Sequence, residues 1–324
     1  MGARDLAARM TDRQQQALDR RLQQNYRTAL NTALERQKEA IDRLLAFDEA
    51  QFPGLSPEQL QTKKRAYVRR VMRQTDIANN IAAEIARGGQ AASQMIQDEL
   101  ARAFSLNLDW GRYSLDRQAG VFLDWPMLDN RQMQVLMKRQ QSPFTRISYR
   151  RMGQSQATVN KLKNAFRQSM MLGESRRQLE QRIAKVCRYQ TLYQARRTAQ
   201  TEIVRIQSQA RYHSMAEAAD MGLELEKEWR AKMVNTRDTH KDLDGEVVEW
   251  DKPFVTSEGN ELMYPGDPSA PAEEVIFCHC YVMERLKNVP ESVRRYREEM
   301  AQNYGFNEWR AKKKQELQRV RRGA

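Results

Sequence analysis

Apolar residues recur every three or four positions through the first 48 residues, with Gln and Arg between them. This spacing places the apolar side chains on one face of a helix and predicts a single long helix over about residues 5–48. The tripeptide at 52–54, Phe-Pro-Gly, should end that helix, because Pro lacks a donor N–H and Gly favours turns. The apolar face includes Leu18, Leu22, Leu30, Leu34, Ile41 and Leu44.

A second helix is predicted to begin after Ser56. Ser is a favourable N-cap, Pro57 suits the first helical position, and Gln59 completes a capping box. The Gly pair at 88–89 should stop or kink this helix, and a further helix should lead to Phe104. We therefore expect long antiparallel helices in the N-terminal half. Their apolar stripe is narrow, which suggests that a neighbouring subunit or partner buries part of it.

The pattern changes beyond residue 104. Residues 105–130 contain four large aromatic residues with Gly and Pro among them, and they predict a loop-rich packing segment. Helices are expected from about 175 to 186 and from about 190 to 221, the second ended by Gly222. Alternation of apolar and polar residues predicts three short strands, at 223–231, 247–250 and 275–282.

These elements predict a mainly α fold with a small C-terminal α+β lobe and long antiparallel helices in the N-terminal half. Along the chain we expect four parts. They are a long-helix domain at 1–104, a basic loop-rich and helical middle region at 105–185, a C-terminal domain at 186–287, and a basic C-terminal helix or tail at 288–324.

Composition narrows the class of partner. The 324 residues carry a formal net charge of +13, with a pI of about 9.7, which favours a polyanion, an acidic protein surface or an anionic membrane face. No run approaches the ~18 consecutive apolar residues of a membrane span, and the first residues lack the apolar core of a secretory signal. Three Cys, an odd count, indicate a reducing compartment rather than a disulfide framework.

A cationic stretch covers residues 130–173, which contain no Asp or Glu. Such a stretch gains free energy by releasing counterions from phosphates, so it predicts polyanion contact without sequence specificity. A solvated helix face, or a surface matched to an acidic protein, is the alternative. The candidate nucleic-acid-binding residues are Lys138, Arg139, Arg146, Arg150, Arg151, Lys161, Lys163 and Arg167.

The last helix, over about residues 290–322, has a basic end. Cations suit a helix C-terminus, but their density here exceeds what capping needs. A solvated tail and an arm that contacts DNA or a protein partner are both open interpretations. The candidate residues in this helix are Lys312, Lys313 and Lys314.

Two of the three His and two of the three Cys lie between residues 240 and 280. In an extended segment, Cys278 and Cys280 would present both sulfurs on one face, with His279 on the other. His240 can supply a third ligand, and Asp244, Asp238 or water a fourth, for a structural zinc. The alternative is that the thiols are small buried hydrophobic groups and that His240 hydrogen-bonds to its loop.

Two other residues have chemistry of their own. Cys187, on a predicted helix, has no partner at metal-motif spacing, so we expect a buried thiol. Glu202 lies among Arg196, Arg197 and Arg205. It is interpreted as an ion-paired structural residue, with a catalytic carboxylate as the alternative.

The same region resembles a known family. The run at 236–245, Thr-Arg-Asp-Thr-His followed by Leu-Asp-Gly, precedes Pro-Gly-Asp-Pro at 265–268, Pro-Ala-Glu-Glu-Val-Ile at 271–276 and the closing Cys-x-Cys. Together these resemble the phage minor head proteins of the Mu F-like head morphogenesis family. The helix at 196–202 is similar to one that carries an Arg and a Glu in those proteins. The likeness covers about residues 155–285, with Phe277 where the family tends to have Asn and His279 where it tends to have Arg.

The resemblance implies a low-copy structural component of the virion, located inside the head or at the portal. It implies a role in head assembly or DNA delivery, with portal protein, phage DNA and a scaffolding or capsid protein as partners, and with assembly in the host cytoplasm. It implies no general enzymatic activity.

Two other functions are open from the sequence. A zinc-dependent hydrolase or nuclease would use His240 with the loop carboxylates of Asp238, Asp242 or Asp244, although no H-E-x-x-H signature is present. A cellular nucleic-acid-binding protein unrelated to phages is supported by the basic composition alone.

Overall fold

The computed structural model describes residues 3–126, 128, 130–139, 156–233, 235–288 and 305–323. Within them the fold is mainly α with a small C-terminal α+β part, as predicted. The helices are α1 (Ala3–Arg36), α2 (Lys38–Leu45), α3 (Pro57–Thr75), α4 (Ile77–Ala119), α5 (Asn130–Arg139), α6 (Gln156–Leu172), α7 (Arg176–Cys187), α8 (Tyr193–Asp220), α9 (Asp238–Asp242), α10 (Ala272–Val275) and α11 (Phe306–Gly323). The strands are β1 (Leu225–Arg230), β2 (Val247–Glu249), β3 (Phe254–Val255), β4 (Glu261–Leu262) and β5 (Tyr281–Leu286).

The first predicted helix is two helices. Gln37 leaves the helical conformation between α1 and α2, and α2 ends at Leu45 rather than at residue 48. The start of the next helix agrees with the prediction. Ser56 Oγ accepts a hydrogen bond from the Gln59 amide at 3.3 Å, and Gln59 Oε1 accepts one from the Ser56 amide at 2.9 Å.

The predicted break at the Gly pair is wrong. Helix α4 runs through residues 88–89 without interruption, and the chain turns instead at Asp76, which is left-handed with φ of 48°. The absence of a side chain at Gly88 serves packing against α1. A Cβ there would lie 2.8 Å from the Ala29 Cβ, and the Gly88 carbonyl accepts a hydrogen bond from Asn25 Nδ2 at 2.7 Å.

The loop-rich segment predicted over residues 105–130 is also wrong for its first half, because α4 continues to Ala119. Trp110 on this helix is buried in the core and Tyr113 packs against it, whereas Phe122 and Trp125 follow the helix and are buried in the same core. Gly111 again allows a close approach between helices, since a Cβ there would lie 2.1 Å from Ser214 Oγ on α8.

The chain forms two compact units, each from discontinuous segments. Unit 1 contains Met1–Gln16, Gln97–Thr145 and Thr198–Ala324, and unit 2 contains Ala17–Ile96 and Arg146–Arg197. This grouping differs from the four consecutive parts expected along the chain, because α1, α4 and α8 each contribute residues to both units. No helix in the described part of the chain combines the length and apolar character needed to cross a bilayer.

Unit 2 is helical. Helix α7 begins at a second capping box, with Ser175 as N-cap and Gln178 at the third helical position, as the sequence predicts for this start. The buried faces of α3, α6 and α7 share one core. That core includes Ile41, Leu44, Val68, Val71, Ile81, Leu162, Phe166, Leu179 and Ile183, and it contains Cys187 as the predicted buried thiol. Burial raises the Cys187 pKa to about 12.

Unit 1 contains a three-stranded antiparallel sheet in the order β2-β1-β5, and β3 pairs with β4 separately. In the register of the sheet, Trp229 on β1 lies opposite Val282 on β5. The strand predicted at 275–282 begins only at Tyr281, because 272–275 form the short helix α10. The Cys-x-Cys sequence therefore lies in the connection that enters β5.

The C-terminal helix α11 is anchored to unit 1 through a buried carboxylate. Asp116 on α4 accepts hydrogen bonds from the indole N–H groups of Trp125 and Trp309, both at 2.8 Å, and from the Leu123 amide at 3.0 Å. Burial raises the Asp116 pKa to about 7 despite these donors. Arg310 adds a surface ion pair to Asp109 at 2.8 Å.

We expect Gly88→Ala to destabilise the protein by about 1–3 kcal/mol, because the new methyl group overpacks the contact with Ala29. Helix propensity alone predicts the opposite sign, a gain of about 1 kcal/mol. Chemical denaturation measures the difference. The matched control is Gly88→Ala with Ala29→Gly, which moves the methyl group to the other helix and should recover most of the loss. A more stable single variant would contradict the packing explanation.

Candidate metal centre

Three ligand atoms converge in unit 1. His240 Nδ1 lies 3.5 Å from Cys278 Sγ and 3.5 Å from Cys280 Sγ, and the three atoms lie within 4.8 Å of one another. All three side chains are buried, at 1%, 2% and 2% exposure. The convergence expected from the sequence is therefore present.

The spacing of these atoms fits a tetrahedral metal. Zinc binds sulfur at about 2.3 Å and imidazole nitrogen at about 2.0–2.1 Å. With tetrahedral angles those bond lengths place nitrogen about 3.6 Å from each sulfur. The observed 3.5 Å separations agree with that value. The position of His240 relative to each sulfur is therefore compatible with a bound metal ion.

Helix α8 positions the two cysteines. Gln200 Nε2 donates a hydrogen bond to the Cys278 carbonyl at 3.0 Å, and Thr201 Oγ1 accepts one from the Phe277 amide at 2.9 Å. Phe277 has a φ of 61°, a left-handed conformation that is unfavourable for a bulky residue. The backbone thereby turns so that the Cys278 sulfur also accepts a hydrogen bond from the Cys280 amide at 3.3 Å.

A buried carboxylate holds the far side of the imidazole. Glu274 Oε2 on α10 lies 3.0 Å from His240 Nε2, and both side chains are buried. Thr239 and Asn260 each donate a hydrogen bond to Glu274, at 3.1 Å. A carboxylate in this position fixes ring orientation and favours the tautomer with Nδ1 free to bind a metal.

Arg237 joins the loops on either side of the centre. Its guanidinium donates hydrogen bonds to the backbone carbonyls of Glu274 and, at 2.8 Å, of Ile276. Sequence reasoning assigned no role to Arg237 or Glu274. Both belong to the quoted motifs at 236–245 and 271–276, so the motif likeness was the signal that could have identified them.

Asp244, the predicted fourth ligand, lies outside the group of three. Its Oδ1 accepts a hydrogen bond from the Ala231 amide at 2.9 Å, so the carboxylate closes the turn after β1 and does not join the cluster. Asp238 is exposed and pairs with Lys241 at 2.7 Å. Among the described residues, no fourth His, Cys, Asp or Glu contributes to the group. His279 is half-buried and also lies outside it.

The electrostatics favour a thiolate at one of the two cysteines. The hydrogen bond from the Cys280 thiol lowers the Cys278 pKa well below its ordinary value despite burial, and His240 acts in the same direction. The Cys278 neighbour and burial raise the Cys280 pKa. These opposite directions place the anionic character on Cys278 and the proton on Cys280.

The Pro-Gly-Asp-Pro motif at 265–268 and the helical segment around Glu202 also have structural roles. Gly266, with φ of 82°, lies against α8 so closely that a Cβ would be 3.0 Å from the Arg205 backbone. Asp267 accepts hydrogen bonds from the amides of Met263 and Ser269, at 2.8 and 2.9 Å. Glu202 pairs with Arg205 at 2.9 Å with both side chains 1% exposed, which agrees with the predicted structural ion pair.

A buried lysine lies close to the centre. Trp229 packs edge-on against His240 with ring centroids 5.0 Å apart, and Phe254 packs against Trp229 at 5.2 Å. Lys227 lies on the same face of β1 as Trp229 and is fully buried, with its Nζ 5.3 Å from the Phe254 ring and 5.1 Å from that of Tyr212. Burial lowers the Lys227 pKa to about 7.

The residues predicted to contact nucleic acid lie in several places. Lys161, Lys163 and Arg167 lie on α6 in unit 2. Lys312 and Lys313 on α11 are half-buried over the Phe122 ring, with Nζ 5.9 and 4.2 Å from its centroid, so they help to anchor that helix. Lys314 is exposed. The described residues do not include Arg146, Arg150 and Arg151, nor the side chains of Lys138 and Arg139.

Comparison with known proteins confirms the resemblance. Residues 160–283 match the family described as Phage Mu protein F like protein. The minor head protein GP7 of Bacillus phage SPP1 is 31% identical over 162 residues, which cover 48% of this chain and 52% of that protein. The uncharacterized protein YqbB of Bacillus subtilis (strain 168) is 36% identical over 90 residues, 26% of this chain and 28% of YqbB.

A third relative carries the name of an enzyme. The NAD(+)--arginine ADP-ribosyltransferase EFV of Enterococcus faecalis (strain ATCC 700802 / V583) is 33% identical over 121 residues, 36% of this chain and 24% of EFV. The chain thus spans between about a quarter and about half of the length of these relatives. No solved structure matches it significantly.

We expect the stability of the protein to depend on pH through Lys227. Its folded pKa of about 7 lies below its unfolded value of about 10.4. Between these values the unfolded chain binds more protons, so the free energy of unfolding rises as pH increases from 7 to 10. The difference corresponds to on the order of 4 kcal/mol.

Lys227→Met removes this titration. Denaturant unfolding should therefore show a variant more stable than the wild-type protein by up to about 4 kcal/mol near pH 7, with the difference disappearing near pH 10. The control is Lys252→Met, whose side chain is 66% exposed and whose effect should not vary with pH. A constant difference between Lys227→Met and wild type across this range would refute the assignment.

Proposed function

We propose, on the premise that residues 160–283 belong to the Phage Mu protein F like family, that the chain is a structural component of a phage head. The observation that carries this proposal is the alignment with the SPP1 minor head protein, which extends over about half of that protein. We assign the chain to the virion, in the head interior or at the portal, after assembly in the host cytoplasm. Portal protein, phage DNA and a scaffolding or capsid protein are its proposed partners.

We propose further that the three-ligand centre binds zinc as a structural ion. Two thiolates and one imidazole form a soft donor set that favours zinc over magnesium or calcium, which prefer oxygen. A bound zinc ion supplies a cross-link between the loop that carries His240 and the loop that carries the two Cys. Cross-links of this kind contribute directly to the folding free energy of small lobes.

The enzymatic alternative has less support. A catalytic zinc needs a ligand position open to substrate and a general base beside it. Here all three ligands are buried, and Glu274 lies on the far side of the imidazole from the sulfurs. The aligned segment is only 24% of the EFV ADP-ribosyltransferase, so the activity in that protein's name is not transferred to this chain.

Zinc content tests the structural role. The purified protein should contain about one zinc ion per chain by elemental analysis. Cys278→Ser, Cys280→Ser and His240→Ala should each reduce this content strongly and lower the melting temperature, because the remaining ligands no longer complete the site. Wild-type protein treated with a chelator should show the same loss of thermal stability.

Two matched variants separate the centre from general effects. Cys187→Ala removes a buried thiol in the other unit, and Asp244→Asn alters the acidic residue that closes the nearby turn. Both should retain the full zinc content. Wild-type protein that contains no zinc after metal-replete expression, or equal zinc in Cys278→Ser and wild type, would eliminate the zinc centre.

The head assignment is tested on particles. Quantitative mass spectrometry of purified particles from the phage or prophage that encodes the chain should detect it at low copy relative to the major capsid protein. Treatment with a nonspecific protease before disruption should leave it intact if it lies within the head. Its absence from particles that contain the other head proteins would overturn the proposal, whatever the zinc content.

A further inference from the structure

Unit 2 contains an open cleft of about 440 Å³ at the junction of α3, the start of α4 and α6. Its floor is formed by Ala66, Met72 and Ala78. Four cationic side chains and one carboxylate complete its lining, namely Arg69, Arg73, Lys163, Arg167 and Asp76. The volume lies within the range of about 300–1,000 Å³ that is common for ligand sites.

The four cations form two rows. Arg69 and Arg73 are four residues apart on α3, and Lys163 and Arg167 are four residues apart on α6. Residues at this spacing lie on the same face of a helix. The buried faces of the two helices pack in one core, which fixes the rows on either side of the cleft. The sequence identified only the row on α6.

These four cationic side chains have few hydrogen-bond or ion-pair partners among the described residues. In the part of the chain that the structure describes, Arg69, Arg73 and Lys163 make no ion pair, and Arg167 donates only to Asn164 at 3.0 Å. The single carboxylate, Asp76, is exposed and accepts a hydrogen bond from Asn79 at 2.5 Å. The cleft therefore keeps a positive excess that internal partners do not neutralise.

The surrounding helices reinforce this charge. Helix α3 contains six Lys and Arg against one Glu, and α6 contains three against none. Other cations of α3 are engaged elsewhere: Lys64 contacts Glu49, and Arg70 lies over the Tyr67 ring at 5.4 Å. Within the described part of the protein, the four cleft cations make no such contacts and remain available to an anionic ligand.

We propose that this cleft binds consecutive phosphodiester groups of duplex DNA without sequence specificity. The planar Arg guanidinium can donate two parallel hydrogen bonds to phosphate oxygens. Release of the counterions around DNA also favours contact with its densely charged phosphate backbone. An acidic protein would be expected to need large apolar anchors as well. None of the exposed large hydrophobic residues in the described part of the chain lines the cleft.

The inference uses the proposed function only for the identity of the nucleic acid, because a head protein meets packaged DNA. It is independent of the zinc centre, whose residues lie in the other unit. Binding to DNA in solution and the presence of the chain in particles are separate measurements. A negative result for DNA binding therefore does not contradict the head assignment, and absence from particles does not contradict DNA binding.

The test is the salt dependence of binding to a random duplex by the full-length protein. The cleft variant is Arg69→Gln, Arg73→Gln, Lys163→Gln and Arg167→Gln. Each phosphate contact contributes about 0.9 to the slope of log binding constant against log salt, so the slope should become shallower by about 3–4. The single variant Arg73→Gln should reduce it by about 1.

The matched control removes the same charge from exposed positions of the same unit: Arg20→Gln, Arg27→Gln, Lys38→Gln and Arg177→Gln. It should retain most of the wild-type slope, and thermal melts should show both variants folded. Equal changes in the two variants would overturn the proposal, since net charge alone would then explain binding.

Two competitors distinguish other anionic ligands. Polyglutamate of matched charge should displace DNA only weakly, and equal displacement would reassign the cleft to an acidic protein. Inorganic phosphate should compete no better than chloride at the same ionic strength. Stronger competition, retained by the control and lost in the cleft variant, would reassign the cleft to free phosphate.

Discussion

The C-terminal lobe depends on the contact between His240 and two thiols that follow it by 38 and 40 residues. The strands between them have only three, two and two residues, and strands this short contribute few ladder hydrogen bonds and little buried surface. Convergence at His240 fixes the ends of this segment and lets its loops pack on the β1–β5 sheet. A metal would strengthen a contact that the polypeptide already makes, because His240 Nδ1 already lies at the tetrahedral distance from each sulfur.

Helix α8 makes that contact possible. All ten residues from 201 to 210 are buried, although six of them are polar or charged. A helix buried on every side normally has apolar residues all round. Here some of the polar side chains satisfy backbone groups of the lobe or one another: Thr201 accepts a hydrogen bond from the Phe277 amide, and Arg205 pairs with Glu202. A helix rich in polar and charged residues can therefore be buried where the surrounding loops have backbone groups that need hydrogen-bond partners.

Sequence reasoning succeeded where local rules decide the structure. The capping box at Ser56, the helix start at Ser175 and the helix stop at Gly222 depend on a few neighbouring residues, and each is present. It failed where tertiary packing decides. A pair of Gly residues is typical of a helix break. At Gly88, however, the absence of a side chain makes room for Ala29, which is 59 residues away in the sequence. The metal cluster could be predicted from the sequence because His and Cys are rare in this chain. Glu274 could not, because only its contact with His240 distinguishes it from the many other acidic residues.

The two proposals explain different features of the composition. The nine cations of α3 and α6, against one carboxylate, account for much of the net charge of +13 within 36 residues. The three-ligand centre lies in unit 1 and uses none of them. A strong positive surface opposes folding through self-repulsion, so unit 2 needs an apolar core, which α3, α6 and α7 supply. Unit 1 also has an apolar core, which includes Phe122, Trp229 and Phe254, but its C-terminal strands are short, and there a cross-link adds stability directly. The three-ligand centre of unit 1 and the cationic rows on α3 and α6 of unit 2 are therefore separate features, and variants of one leave the other unchanged.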